Sequence, residues 1–331
     1  MMMLERGGCL RGRGLVPAAA LLFAWLGAAR ADAQVDSNLL RREWQPEDHW
    51  SDSSDKPFFL FKEDVRHSEE TVEMFHWESS GRVKTDRTDR DPQFWFGYKV
   101  LTVGIAGLET VPHGLYDVGL AVAGKLGSIG PEWTLEACGG VGTANDGSFG
   151  NLRAIYPAAT VLAVQELAPR QFLELGITYD GNSALAPRLP MPVVEFEAHP
   201  DPSLRLRAGF PHLEAEYLPF ADLSLRLIGD YPADARLEAE FALGSGLAAF
   251  AEAARRLEPF HLREDGRERI FYRLYTGELG LRFRGAGLDV SLSGGWAFGQ
   301  EFFTGYDLRD RSPVAVPEGG PFAALTVQGT F

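Results

Sequence analysis

Any chemistry in this chain has to come from a short set of reactive side chains. The seven histidines are His49, His67, His76, His113, His199, His212 and His261. None stands in a His-Glu-x-x-His arrangement, and no two share an obvious ligand spacing on one strand. His67 and His76 have acids nearby that could complete a metal site, but ordinary solvated side chains describe them better, and no metal ligand is assigned. Gly244-Ser245-Gly246 lacks the outer glycines of a Gly-x-Ser-x-Gly nucleophile elbow. Ser148, Ser183, His199 and His212 are the residues from which a rim-mounted lipid hydrolase would have to be built. Asn145-Asp146-Gly147-Ser148 lacks the alternating acids of a calcium loop and reads as a turn. Two cysteines provide neither a disulfide framework nor a metal cluster. The expectation is a non-enzyme with no catalytic residue and no cofactor.

The more informative pattern is a ladder of charge. Glu195 and Glu197, then Arg205 and Arg207, then Glu214 and Glu216 fall on successive segments, followed by Arg226 and by Arg236, Glu238 and Glu240. Opposite charges on neighbouring strands attract at Cβ separations of about 5 Å. Facing a barrel interior, such side chains form either a purely structural network or the mixed-charge wall of a narrow pore.

These charges are positioned by strands. Val194, Phe196 and Ala198 alternate with the glutamates, Leu204, Leu206 and Ala208 with the arginines, and Leu213, Ala215 and Tyr217 with the next acids. Leu223, Leu225 and Leu227 alternate with Ser224 and Arg226, and Leu237, Ala239, Phe241 and Leu243 with Arg236, Glu238 and Glu240. Successive strand side chains point to opposite faces, so each segment has one apolar and one charged face. The intervening turns, such as His199-Pro200-Asp201-Pro202, are too short for anything but antiparallel neighbours. Similar alternation runs from Phe94 to the C-terminus and suggests about 12 strands, with 10 to 14 tolerable. Leu247–Arg256 is ambiguous, because its alanines favour helix while its neighbours favour strand. The stretches at about 258–268 and 303–320 read as loops. Residues 34–92 carry both charge signs and scattered aromatics, and read as a polar N-terminal extension with one short strand around Thr71–Trp77.

Residues 1–33 read as a secretory signal. Arg6, Arg11 and Arg13 precede an apolar run from Leu15 to Ala29, and small-x-small sites end at Ala31 and Ala33. The run is shorter than the ~20 residues a membrane-spanning helix needs. The 331-residue chain has a formal charge of −14. Removing the signal's four basic and two acidic residues leaves 28 against 44, or −16. An acidic chain with no basic block is poorly suited to a phosphate backbone, so no nucleic-acid partner is expected.

The same alternation describes two inside-out architectures. In a soluble exported β-protein the apolar faces meet in a core, with room for a ligand between them; in a transmembrane barrel they meet lipid. Small residues on the non-lipid face (Gly119, Ala121, Ala123, Gly176), aromatics near strand ends and a strand ending in Phe331 favour the membrane. The final strand, with Ala323, Leu325, Val327 and Phe331 on one face, resembles the terminal strand of bacterial outer-membrane barrels, whose last phenylalanine is read by the barrel-insertion machinery. Gly329 departs from the bulkier apolar residue usual there.

A further resemblance rests on Leu175-Gly176-Ile177-Thr178-Tyr179-Asp180, on Pro190 and the strand to Ala198, and on Leu204-Arg205-Leu206-Arg207-Ala208-Gly209-Phe210-Pro211. It continues through Arg269-Ile270-Phe271-Tyr272-Arg273 and Leu292-Ser293-Gly294-Gly295-Trp296-Ala297-Phe298-Gly299-Gln300-Glu301-Phe302. This order resembles a family of uncharacterised bacterial outer-membrane β-barrel proteins, a domain of unknown function met in planctomycetes. The resemblance implies a fold and a location, and no catalytic residues. The expectation is therefore an all-β, antiparallel up-and-down transmembrane β-barrel: signal peptide 1–33, polar extension 34–92 and barrel 93–331. It would sit in the outer membrane of a two-membrane bacterium after cleavage near Ala31 or Ala33, in contact with outer-membrane lipid, as a passive channel for small solutes or a structural envelope component. Its oligomeric state is left open.

Overall fold

The computed structural model describes residues 50–85, 93–147, 149, 151–231, 234–263 and 268–331. The signal sequence, residues 34–49 and Ser148 lie outside the described residues. In chain order the strands are β1 (Ser51–Asp64), β2 (Thr71–Lys84), β3 (Phe94–Ala106), β4 (Gly114–Ile129), β5 (Trp133–Asn145) and β6 (Ile155–Ala168). They continue as β7 (Gln171–Asp180), β8 (Met191–Asp201), β9 (Leu204–Phe210), β10 (His212–Phe220), β11 (Leu223–Asp230) and β12 (Asp234–Gly244). The last are β13 (Leu247–His261), β14 (Arg269–Gly285), β15 (Leu288–Gly305), β16 (Ser312–Ala315) and β17 (Pro321–Thr330).

Each strand pairs antiparallel with its sequence neighbour, β17 pairs with β15, and β1 pairs with β17. The sheet therefore closes on itself. β16 pairs with β15 inside the connection that leads to β17, so the ring itself has 16 strands. The count of about 12 expected from alternation is too low by β1, β2, β6 and β13. β1 and β2 lie in the stretch expected to be an extension, which is instead barrel wall from Ser51 onward, with β2 twice as long as the strand expected there. β6 begins Ile-Tyr-Pro-Ala-Ala-Thr-Val-Leu, without charges to mark an inward face. β13 is the alanine-rich segment, and pairing to β12 and β14 decides its conformation over helix propensity. The expected loops at 258–268 and 303–320 begin later than anticipated, because β13 and β15 run on to His261 and Gly305.

The apolar faces point outward. Leu279, Leu292 and Leu120 are 70%, 66% and 61% exposed, and Leu206 and Leu225 also face out. A soluble protein with its leucines packed together is the opposite arrangement, so that alternative fails. Two aromatic rows flank the band. One holds Phe94, Phe96, Tyr217, Phe220, Phe241 and Phe283, and the other holds Phe59, Phe61, Phe75, Trp77, Trp296 and Phe298; all of them are exposed. On β15 the interval from Leu288 to Phe298 is about eleven residues, close to the roughly 9–11 that carry a tilted strand across a bilayer. This is a closed barrel whose wall, apolar outside and framed by two aromatic rows, is built to cross a membrane.

The two ends differ. One carries both described termini and tight turns, among them Ser245-Gly246 and Ala286-Gly287, where both turn residues have positive φ (52° and 79°; 53° and 78°). That is the two-residue hairpin geometry matching the strand twist, and it assigns Gly244-Ser245-Gly246 to a turn. The other end carries the longer connections, including 146–154, 181–190 and 306–320. There Asn145 Oδ1 accepts from the Gly147 N–H at 2.8 Å, which makes the Asn145-Asp146-Gly147 segment an Asx turn.

The interior at the long-loop end departs from the expected polar lumen. Phe58, Leu60, Val72, Met74, Val103, Ile105, Leu115, Phe260, Tyr272, Phe302 and Phe322 form a buried apolar block between β1–β4 and β13–β17. β13 runs past the start of β12, and its end leans across the mouth, where His261 bridges in parallel to Asn145 of β5.

Candidate functional site

Below the apolar block the inward positions are charged. All ten side chains singled out by the alternation, Glu195, Glu197, Arg205, Arg207, Glu214, Glu216, Arg226, Arg236, Glu238 and Glu240, stand on the inward face of β8–β12, opposite the outward leucines. Strand register places them side by side. Glu197 is opposite Arg207, and Arg207 is opposite Glu214. A second row runs Arg205, Glu216, Arg226, Glu238, each directly opposite the next on β9 to β12.

The contacts follow the register. Arg207 Nη2 donates to Glu197 Oε2 at 2.7 Å, and its Nε lies 4.0 Å from Glu195. Arg205 lies 3.4 Å from Glu197, and His199 Nε2 lies 2.9 Å from the same carboxylate. Arg226 Nη2 donates to Glu214 at 2.8 Å. Glu214 and Arg207 are 0% and 2% exposed, which is sustainable for charged groups only because each meets its opposite.

Sequence reasoning missed the continuation of the row. Glu238 is opposite Glu252 of β13, and Glu252 is opposite Glu278 of β14, so three carboxylates follow one another. Like charges in direct register repel. Three cations relieve this. Arg236 lies 2.5 Å from Glu238 and 2.8 Å from Glu252, and Arg282 lies 3.0 Å from Glu238. Lys56 reaches from β1 past β17 and β15 to within 3.6 Å of Glu252 and 3.3 Å of Glu278. Small inward residues on the intervening strands, Ser293 and Ala324, leave room for it, and Ser293 donates to Glu278 at 2.8 Å. The signal for these residues was present: Glu252, Arg256 and Glu258 share one strand face, but the alanines between them obscured the period.

Other pairs cross the lumen. Arg256 Nη1 of β13 donates to Glu78 of β2 at 2.7 Å. Lys99 of β3 lies 3.4 Å from Asp117 of β4 and 3.7 Å from Glu258 of β13. From the mouth, Asn182 Nδ2 donates to the Pro259 carbonyl at 3.1 Å. A small cavity lies where the apolar block meets the charges, lined by Lys56, Phe58, His76, Arg256, Leu274 and Glu278 among others.

Of the side chains considered for hydrolysis, Ser183, His199 and His212 are among the described residues, and each has a partner. Ser183 Oγ accepts from Leu185 and Ala186 N–H groups at 3.4 Å each, and His212 Nδ1 lies 2.7 Å from Asp230. His67 sits in the exposed β1–β2 turn, whereas His76 is buried in the lumen, edge-on to Phe58. Among the described residues no three His, Cys, Asp or Glu side chains are grouped to hold a metal ion.

No family model matches the chain, and no curated protein sequence does. Its fold is similar to those of solved barrels. A Pseudomonas aeruginosa FadL homologue aligns over 85% of this chain and 89% of its own, at 10% identity and a TM-score of 0.36. The Acinetobacter baumannii outer membrane protein Omp33 aligns over 86% and 98%, at 8% identity and 0.35. The Pseudomonas putida toluene transporter TodX aligns over 85% and 90%, at 7% identity and 0.33.

Proposed function

We propose that the protein is a passive channel for small solutes in the outer membrane of a bacterium with two membranes. The observation that carries this reading is the two-sidedness of the wall, apolar outside and lined by a continuous charged row inside. Along β8–β14 eleven inward carboxylates (Glu195, Glu197, Glu214, Glu216, Asp230, Asp234, Glu238, Glu240, Glu252, Glu258, Glu278) face eight cations (Arg205, Arg207, Arg226, Arg236, Arg256, Arg282, Arg284, and Lys56 reaching in). A ring with excess negative charge favours cations. Single-channel recording in planar bilayers tests this: discrete steps and a reversal potential displaced toward the cation under a potassium chloride gradient are expected.

The cross-lumen pairs support a second reading, a closed structural barrel. Arg256–Glu78, Lys99–Glu258 and the β5–β13 bridge all tie opposite walls together. A bilayer that stays silent at high protein load selects it over the channel. On either reading the chain contacts outer-membrane lipid, and its insertion uses the C-terminal strand. In support, Phe331 is exposed at the ring's closing seam, where its backbone accepts from the Trp50 and Ser51 N–H groups and donates to Ser51. Its ring lies against Gly329, where a Cβ would come within 2.8 Å of it. The kinship with the uncharacterised outer-membrane family is part of the same proposal.

A further inference from the structure

The mouth-end part of β13–β15 separates from the wall at a single level. β13 leaves β12 beyond the pair Ala235–Arg255. β15 leaves β17 after Trp296–Pro321, with one more pair of backbone bonds at Ala297–Gly320. Between them, β14 and β15 shift register from Tyr275–Phe298 to Arg273–Glu301. The shift makes a bulge of Gly299 and Gln300, and Gly299 has a φ of 56°. A bulge bends the strand that carries it. Past this root, residues 256–261, 269–274 and 299–305 stay paired to one another and form a three-stranded tongue.

The tongue reaches the far wall. His261 bridges to Asn145 of β5, and β5 lies eight places from β13 either way round the 16-strand ring. There a loop between β7 and β8 grips it. Arg269 of the tongue is 2% exposed, and its Nη1 donates to the Asn182 and Ser183 carbonyls at 3.1 and 3.0 Å. Asn182 Nδ2 donates to the Pro259 carbonyl at 3.1 Å, and the Leu308 N–H donates to the Ala184 carbonyl at 2.9 Å. One face of the tongue, with Phe260, Ile270, Tyr272 and Phe302, lies on the apolar block, and Leu257, Phe271 and Phe303 of the other face pack with Ala184. On its β15 side the tongue is tethered through β16, whose connection to β17 bridges to β1 at Val65–Pro317. A section that has left both wall ladders is held by packing and a few loop bonds, and such a section opens separately from the ring.

We propose that this tongue is the gate of the channel, hinged at the Gly299–Gln300 bulge and latched to the β7–β8 loop by Arg269. That role rests on the channel reading; the movement has a readout of its own. The apolar contacts keep the gate shut most of the time, and the latch sets how rarely it opens. The test is planar-bilayer recording of the whole barrel carrying Asn145→Cys and His261→Cys in a Cys138→Ala background. Partners on adjacent strands stand about 5 Å apart, within reach of a disulfide. Forming that disulfide, verified by mass spectrometry, is expected to lower the open probability at least tenfold, and a reductant restores it. Arg269→Gln in the otherwise native chain is expected to raise the open probability about tenfold. If wild type conducts and the disulfide leaves conduction unchanged, the gate is overturned and the channel stands. A silent wild type overturns the channel instead, and hydrogen exchange in detergent then decides the movement. Arg269→Gln is expected to speed exchange of the amides at 256–261 and 269–274 about tenfold while β3–β5 exchange as in wild type. Equal exchange in the two proteins overturns the hinged tongue. Heat-modifiable migration on gels verifies folding of each variant. Should Arg269→Gln not fold, exchange compared between the oxidised and reduced disulfide variant decides in its place.

Discussion

Replacing Arg207 with methionine removes the cation from the most deeply buried part of the ladder while roughly conserving side-chain volume. Arg207 is paired to Glu197 at 2.7 Å, and Glu195 and Glu214 adjoin it in space or in register. Breaking one side of a buried pair typically costs about 3–5 kcal/mol, chiefly because the other charge is stranded. Glu197 keeps Arg205 at 3.4 Å and His199 at 2.9 Å, and Glu214 keeps Arg226 at 2.8 Å, so the lower end, about 3 kcal/mol, applies. The assay is denaturant unfolding of the barrel in phospholipid vesicles, followed by tryptophan fluorescence. The double variant Glu197→Met with Arg207→Met is expected to regain most of the loss, because neither charge is then left alone. A single variant within about 0.5 kcal/mol of wild type would mean instead that water screens the pair and that neither charge is stranded.

Other consequences follow from the same geometry. Lys56→Gln leaves Glu252 and Glu278 without their shared cation, and shifts the reversal potential of the channel further toward cations. Arg256→Gln unties β13 from Glu78, and single-channel recording is expected to show larger or longer openings than in wild type. Leu279→Arg puts a charge into hydrocarbon on the outer face and destabilises the barrel by about 2–4 kcal/mol in the same unfolding assay. Phe331→Ala lowers the yield of assembled, heat-modifiable barrel in outer-membrane fractions without altering secretion.

The wall from β8 to β12 was legible because charge and leucine alternate there with little interruption, and a period of two has only one reading on a strand. Where the period is unmarked, the strand went unseen. β6 carries no charge on either face through Ile155–Val164, and β1 opens with Ser-Asp-Ser-Ser-Asp, polar on both. Register was legible only in part. Acid, base, acid on successive strands predicted the neighbours Glu197, Arg207 and Glu214, but nothing local indicates that Lys56 lies beside Glu278, 222 residues away. That proximity is a property of closure, since β1 meets β17 only when the ring is complete. The apolar block inside the mouth was hidden for a similar reason: Phe58, Phe260 and Phe302 are inward residues of strands whose opposite faces are equally apolar, so composition does not say which face is in.

Spin labels placed one at a time at positions 223 to 227 of β11, in a Cys138→Ala background, report which face of the strand meets lipid. In a reconstituted bilayer, labels at 223, 225 and 227 are expected to relax readily with lipid-soluble oxygen and little with a water-soluble nickel chelate. Labels at 224 and 226 are expected to show the reverse. Chelate access at 223, 225 and 227, or oxygen access at 224 and 226, would contradict a barrel with its leucines in lipid and its charges within.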